Sequence, residues 1–419
     1  MDHPVFVAFI LVAGLIMAVL AQWRGWRPSL RTSLAVGIGL RLILLVLAAT
    51  AAWQPVDYNE GFRHAGRAIL HHQDPVLATQ GSWHFLPMIP YFYALVLATG
   101  LPWEVAGRVV TFVADAVLIV LVGKLAGRKY QAQARFQYAC NPIALMIAII
   151  HGQVEPVALM FLVGAYVVAR ATPAPHGEAG NRAAMYAAWA GALFGFALSA
   201  KSWPIILLPV LLAMLPSWRQ RLYGLFAAGA VPVFFLVTLP LVVDSSWSGI
   251  LDVARYLGEV RPIVGEWGWT AVMTGGDWQL ASAAASIGQV ILYSTIALVM
   301  WLWWRSDRID QTSAILLAFM IVTPRMGAQY LLWFIPFLCA RPTRWSRPAM
   351  TLAAIWAGLG YLYLTQFDDN GWWKNHEWWA ISSVAVIPFL VLAMPWARRV
   401  SRPAKETAIP ETELVTTGS

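Results

Sequence analysis

Asp57 and Glu60 lie three residues apart in "WQPVDYNEGFRHAGRAIL" (53–70), directly after an apolar run, and Arg63, His64, Arg67 and His71 follow them. A carboxylate in such a place can take the proton of a hydroxyl as that hydroxyl attacks an electrophile. The spacing Asp57-x-x-Glu60 also matches a helix capping box, in which Asp57 serves backbone N–H groups and is a weaker base for it. Further along, "NPIALMIAIIHGQVEP" sets His151, Gln153 and Glu155 on a short turn, "LSAKSWPIILLP" puts Lys201 at the end of an apolar run, and "TPRMGAQYLLW" does the same with Arg325, with Gln329 beyond it. Two cations at span ends suit a phosphate, arginine as a fork and lysine as a point charge. The alternative is that each snorkels to the interface. Asp115, within "VVTFVADAVLIVLVG", is an acid near mid-span. Such a group is costly and functional by default, unless it is the structural partner of a cation on a neighbouring helix.

These residues need apolar elements to hold them. Of the 419 residues 59% are hydrophobic and 12% charged, about half the charge of an average soluble domain. Apolar runs long enough to span a bilayer recur from end to end, so the fold class is an all-α polytopic membrane protein. Spans are expected near 4–22, 33–53, 108–123, 136–150, 152–170, 183–199, 203–216, 222–243, 282–304, 311–323, 326–340, 347–365 and 379–396, about 12–14 transmembrane or half-spanning helices in all. The N-terminal run lacks the basic segment of a signal peptide and is expected to be a true span. Residues 1–400 read as a single transmembrane domain whose first external loop is 54–84, and 401–419 as a disordered cytoplasmic tail. Cys140 and Cys339 lie in apolar runs without metal-site or redox spacing and read as packing residues.

The net charge of +8 comes from basic loops between spans, which is the pattern of cytoplasmic loops and not of nucleic-acid binding. Six such loops, at 24–31, 123–135, 217–222, 305–308, 341–347 and 397–402, are assigned to the cytoplasm, which puts Asp57, His151, Lys201 and Arg325 outside with the N-terminus. The stretch 85–101, with Pro87, Pro90 and Gly100, breaks the alternation if it crosses. Either it is re-entrant or interfacial, or the loop at 123–135 faces outside. Within 59–71, Phe62, Ala65, Gly66, Ile69 and Leu70 form the apolar side of an amphipathic helix, expected to lie on the membrane with that side in the bilayer. The 23 Trp are dense in external segments such as "EWGW" and "NGWWKNHEWW". There they form an interfacial belt or stack on sugar rings.

Taken together, the chain resembles the GT-C superfamily of polytopic glycosyltransferases. The resemblance rests on Asp57 followed by the helix 59–71, "HHQDPV" and "WHFLPMIPYFY". Further on it rests on "RVVTFVADAVLIVL", "NPIALMIAIIHGQVEP", "KSWPIILLPVLL" and "TPRMGAQYLLWFIPF", in family order across about residues 50–340. Of these, "RVVTFVADAVLIVL" resembles the Asp-containing span of glycosylphosphatidylinositol mannosyltransferase I and its relatives, and "NPIALMIAIIHGQVEP" a segment of the dolichyl-phosphate-sugar transferases; bacterial envelope mannosyltransferases are the other family resembled. The chain departs from them at Val76, where a Tyr is usual, in the extra residues of "RMGAQ", and in having no D-x-D in the first loop. The resemblance implies an inverting hexosyltransferase that moves a sugar, mannose by family frequency, from a polyprenyl-phosphate donor to a lipid or glycolipid acceptor. Asp57 would be the catalytic base; Glu60, His151, Gln153, Glu155, Lys201, Arg325 and Gln329 would bind substrate. No cofactor is implied, a divalent metal staying open, and membrane lipids are the other partners. The expected setting is a bacterial-type plasma membrane with the site on the periplasmic face. The rivals are a lipid or glycolipid transporter or flippase, and a non-catalytic subunit that keeps the GT-C fold.

Overall fold

The computed structural model describes residues 3–173, 179–248, 263–280, 283–325, 327–367 and 371–398. The tail assigned to 401–419 lies outside them. The chain is an all-α polytopic membrane protein, with seven described helices long and apolar enough to span a bilayer: His3–Trp23, Leu30–Ala49, Trp103–Ala126, Asn181–Ala200, Trp218–Val242, Ala285–Leu302 and Gly371–Arg398. A two-residue antiparallel ribbon, Ile263–Val264 with Gln279–Leu280, is the one sheet among the described residues.

Between the long helices stand short apolar ones, Met88–Leu97, Pro142–His151, Trp203–Met214 and Ala328–Ala340. At about 1.5 Å per residue the ten residues of Met88–Leu97 rise about 15 Å, half the hydrocarbon core, so this segment does not cross. Proline and polar caps keep these helices short. Asn141 caps the helix that starts at Pro142, accepting from Ile143 N at 2.9 Å, and Pro204 opens a 3₁₀ turn that must restart at Leu208. The half-length segments meet at the centre of the bundle, where every residue from Pro142 to His151 is buried.

Because Met88–Leu97 does not cross, the basic loops fall at one end. Arg135 Nη2 bonds Pro28 O at 3.3 Å, tying the loop at 123–135 to that at 24–31. Arg341 pairs with Asp307 and Asp310, and Arg398 with Asp310, which ties the loops near 305, 341 and 397 together. Long helices pack through small residues: a Cβ on Gly191 would come within 2.0 Å of Gly224 O, and one on Gly195 within 2.7 Å of Ala228 O, the close approach that small-xxx-small patterns allow.

One open reading is decided here and two change. Asp115 is wholly buried with Arg41, 2.6 Å from its Nη2 and 2.7 Å from its Nε; Tyr138 donates to its other oxygen, and Arg41 also donates to Ala139 O and Gly37 O. The mid-span acid is therefore the structural partner of a cation on a neighbouring helix. The apolar side of the first-loop helix, now Arg63–Leu70, packs on protein except at Leu70, which is exposed. Gly66 lies so close to Tyr93 that a Cβ would sit 2.7 Å from the tyrosine Cβ, and Phe62 stacks on Tyr93. The half-helix Met88–Leu97 supplies the apolar surface the bilayer was expected to give. Lastly, the tryptophans of "EWGW" form no belt. Trp267 is fully buried and donates to Met320 O at 2.6 Å, and Trp269 donates to Val322 O at 3.0 Å. Trp356 and Trp379 stack at 4.2 Å and exchange two N–H···O bonds. Trp373, 72% exposed, still fits a belt.

Candidate active site

At the end of the bundle opposite the basic loops, three helices carry short π-helical turns: Asp57–Phe62, Met146–His151 and Leu359–Phe367. Each extra residue in a π turn redirects a side chain, and such turns gather at functional sites. Here each turn supplies one member of a hydrogen-bonded chain. Asp57 Oδ1 faces His151 Nε2 at 2.8 Å, and His151 Nδ1 faces Tyr361 OH at 2.7 Å. Gln153 Nε2 donates to Asp57 Oδ2, and Tyr58 N donates to Asp57 Oδ1 at 2.9 Å.

The local sequence explains how Asp57 and His151 are brought together. Tyr58 is buried, its hydroxyl donates to Trp103 O at 2.8 Å, and its ring fills a slot between two glycines. A Cβ at Gly107 would lie 2.6 Å from the Tyr58 hydroxyl. One at Gly152 would lie 2.7 Å from the ring, and Gly152 also holds a φ of +76°. Only glycine meets both demands at position 152. Arg108 closes the arrangement. Its guanidinium lies 4.5 Å from the Tyr58 ring centroid and donates to Ile149 O, Ile150 O, Glu104 O and Gln54 Oε1. One cation thus holds both the residue after Asp57 and the carbonyls just before His151.

Burial raises the Asp57 carboxyl, but the charge and hydrogen bond of His151, the charge of Lys201 and the Tyr58 N–H together outweigh it, so Asp57 is held below the usual carboxylate range. Its side chain keeps 44% of its surface open. Oδ1 has two donors and Oδ2 one, which leaves a lone pair on Oδ2 for an incoming hydroxyl. Both ring nitrogens of His151 are occupied. Of these two groups, Asp57 is therefore the one with an open position for a further donor.

Lys201 stands beside them. Its Nζ is 3.1 Å from the fully buried Glu155 and 4.5 Å from the Phe85 ring centroid. Arg325, exposed and without a side-chain partner among the described residues, shares neighbours with it: the charges of both act on His84 and on Tyr330. Burial, then these charges, hold the His84 imidazole below its usual value. Gln329, half-buried, is the second residue of the 3₁₀ turn Ala328–Leu332, and its side chain lies against Gly327.

Of the residues singled out in the sequence, Asp57, His151, Gln153, Glu155 and Lys201 form one cluster, with Arg325 in its field. Glu60 does not join it: its side chain is 67% exposed and its ionic neighbour is His64, at 4.0 Å. The capping role expected of Asp57 does not occur either, because Val56 before it already has helical φ and ψ and the turn has no side-chain cap. Tyr361, Arg108 and Tyr330 were missed. Arg108 carried a signal, being a cation at the head of a span; the tyrosines carried none. Among the described residues no group of three His, Cys, Asp or Glu side chains is placed to hold a metal. A cavity of about 350 Å³ at the basic end, lined by Thr343, Arg344, Trp345, Trp396 and Arg398, offers no carboxylate or imidazole for chemistry.

No curated protein and no solved structure matches the chain. Residues 89–326 match glycosyltransferase family 87. The match includes Arg108, His151, Gln153, Glu155, Lys201 and Arg325, whereas Asp57 and Tyr361 fall on either side of it. It spans more than half of the sequence, and with the polytopic helical fold it identifies the chain as a member of glycosyltransferase family 87, a membrane glycosyltransferase of the GT-C type.

Proposed function

We propose that this enzyme transfers a sugar, most readily mannose, from a polyprenyl-phosphate donor to a hydroxyl of a lipid or glycolipid acceptor with inversion. The reading takes 1–400 as one catalytic membrane domain, in a bacterial-type plasma membrane, with Asp57 facing the periplasm. The observation that carries it is one open carboxylate, held by His151 and Gln153, in the field of two cations suited to a phosphate. The acceptor O–H gives its proton to Asp57 Oδ2 as its oxygen bonds to the anomeric carbon. The bond from that carbon to the phosphate oxygen breaks on the opposite face, and its electron pair leaves with the polyprenyl phosphate. Lys201 and Arg325 face the charge that grows there, the placement that favours a transition state over the ground state. Because Asp57 is a weak base, proton transfer comes late, when the attacking oxygen has become strongly acidic. Phosphate needs little acid assistance to leave, so one carboxylate suffices.

The test is a transfer assay with the purified protein in nanodiscs and polyprenyl phosphomannose, polyprenyl phosphoglucose and polyprenyl phosphoarabinose as donors. Product of inverted anomeric configuration is expected. Retention of configuration, or no transfer from any of the three, ends the reading. Arg325→Ala should raise the donor KM about tenfold or more, one charge-assisted contact, with kcat falling less. Lys201→Ala alone would also strand the buried Glu155, so the informative variant is Lys201→Met with Glu155→Gln. An unchanged donor KM in both would remove the phosphate clamp from the mechanism.

Sidedness follows from the same reading and has its own measurement. A cysteine at the exposed Ser82, in the first loop, should react with a membrane-impermeant maleimide added to intact cells, and one at Arg344 should not. The reverse pattern would place the site in the cytoplasm.

A further inference from the structure

We infer that Trp278, Trp372 and His376 form a sugar-binding platform beside the site, which holds the glycan of the acceptor while one of its hydroxyls meets Asp57. The inference rests on the transferase reading above and narrows the acceptor to a molecule that already carries sugar.

The three rings touch one another. Their centroids lie 5.8 Å apart for Trp278 and Trp372, 5.4 Å for Trp278 and His376, and 6.3 Å for Trp372 and His376. Trp372 and His376, one turn apart on the helix Gly371–Ser382, are inclined by 22°, and Trp278 stands at 57° and 60° to them. The rings thus make an aromatic corner, and Trp278 keeps 36% of its surface open. Backbone geometry sets this corner. Gly275 and Gly276 hold φ of +67° and +84°, and a Cβ on Gly276 would lie 2.4 Å from Glu377 O. The turn before Trp278 is therefore pressed onto the helix that carries the other two rings. A corner fixed in advance loses little freedom on binding.

The groups around the rings match hydroxyls. Asp277 and Glu377, next to Trp278 and His376 in sequence, are exposed, and their carboxyls have no partner among the described residues. The indole N–H groups of Trp278 and Trp372 have none there either. His376 Nδ1 lies 3.1 Å from Trp372 O. A carbonyl only accepts, so that nitrogen carries the proton, and Nε2 of the neutral ring keeps a lone pair. Donors and acceptors thus stand together beside apolar ring faces. A sugar, apolar on its C–H face and edged by hydroxyls that both donate and accept, satisfies all of them. A lipid phosphate does not, because the two carboxylates repel it. An interfacial belt of tryptophan needs neither the clustered rings nor the acids.

Packed rings join the corner to the catalytic residues. The centroid of Trp372 is 5.2 Å from that of Trp379, and the Trp379 ring covers Gly360, where a Cβ would lie 2.8 Å from it. Next to Gly360 is Tyr361, which bonds His151 and through it Asp57. The platform therefore abuts the turn that supplies Tyr361 but stands outside the Asp57 cluster. The sugar that rests on it is not the one whose hydroxyl reacts; it is a neighbour along the same glycan.

The experiment measures binding of two soluble probes, mannotetraose and arabinotetraose, to the full-length protein in nanodiscs by saturation-transfer NMR. Wild type should bind at least one of them with a millimolar Kd. Trp278→Ala should weaken that binding about tenfold, the scale of losing a tryptophan anchor, and Trp278→Phe, which keeps a ring, should recover most of it. Asp277→Asn should cost about fivefold, one hydrogen bond, and serves where Trp278→Ala folds poorly. Trp373→Ala removes an exposed tryptophan that makes no ring contact with the corner and should bind as wild type does. Equal losses at Trp278 and Trp373 would mean an interfacial belt and overturn the inference. So would a wild type that binds neither tetraose, or a Trp278→Ala that binds as tightly as wild type. Transfer from the three polyprenyl donors is scored separately. A protein that transfers sugar yet binds neither probe loses the platform and keeps the transferase reading. One that binds a probe yet transfers from no donor loses the donor reading and keeps the platform.

Discussion

Asp57→Asn should give a folded, normally expressed protein whose turnover is lower by ~10²-fold or more, the loss expected when a general base is removed. The fold tolerates the change for a reason visible at the site. Asn keeps one carbonyl oxygen for Tyr58 N and His151 Nε2. Its new amide group faces Gln153, whose Oε1 is buried and has no partner; turning the Gln153 amide over lets that oxygen accept from Asn. Asp57→Ala would instead leave His151 and Gln153 without an acceptor and should lose stability as well as activity. Glu60→Gln should change little, since Glu60 is largely exposed and away from the cluster. Turnover of Asp57→Asn equal to wild type would sink the mechanism, and Glu155, already committed to Lys201, would be the poorer replacement.

The same residue fixes part of the pH profile. A carboxyl held below its usual range stays ionised down to unusually acidic conditions, so the stability and activity that depend on its charge are present above the ordinary carboxylate value. They are lost only as pH falls through the depressed one. The acid limb of kcat/KM attributable to Asp57 should therefore lie below the usual carboxylate range. His151→Ala removes the largest influence that opposes burial and should move that limb toward neutral pH. A limb that stays put in His151→Ala would mean that His151 does not tune Asp57.

The second large effect is structural. Asp115→Leu should destabilise the protein by about 3–5 kcal/mol, because it leaves Arg41 buried without its counter-charge. Against a typical stability of about 5–15 kcal/mol that is enough to deplete folded protein in detergent. Arg41→Met together with Asp115→Leu should recover most of the loss, since apolar replacements of both partners are often neutral. About 1 kcal/mol remains for the Tyr138 hydroxyl, which loses its acceptor. Thermal unfolding of the single and double variants, with turnover per folded molecule, decides the matter. A stable Asp115→Leu that has lost turnover would return Asp115 to a functional role.

Composition and the spacing of apolar runs determined the class of this protein and most of its helices, because a bilayer demands about 20 apolar residues per crossing and that demand is written locally. They also exposed Asp57, His151, Lys201 and Arg325, since an ionisable group beside a span is conspicuous in such a chain. Other features lay beyond local pattern. Whether 85–101 crosses was decided by Met88–Leu97 packing under the first-loop helix. The identity of the acid's partner was decided by the Leu30–Ala49 helix, which brings Arg41 to Asp115 across 74 residues of sequence. Tyrosine and tryptophan are as common in a lipid belt as in a site, so nothing in their order separates Tyr361 or Trp267 from Trp373. Three π turns aim Asp57, His151 and Tyr361 at one another; a single extra residue per turn leaves no mark on hydrophobic periodicity. The sequence by itself could supply the reactive groups and the membrane spans, whereas the contact between those groups depends on backbone geometry set by helices distant in the chain.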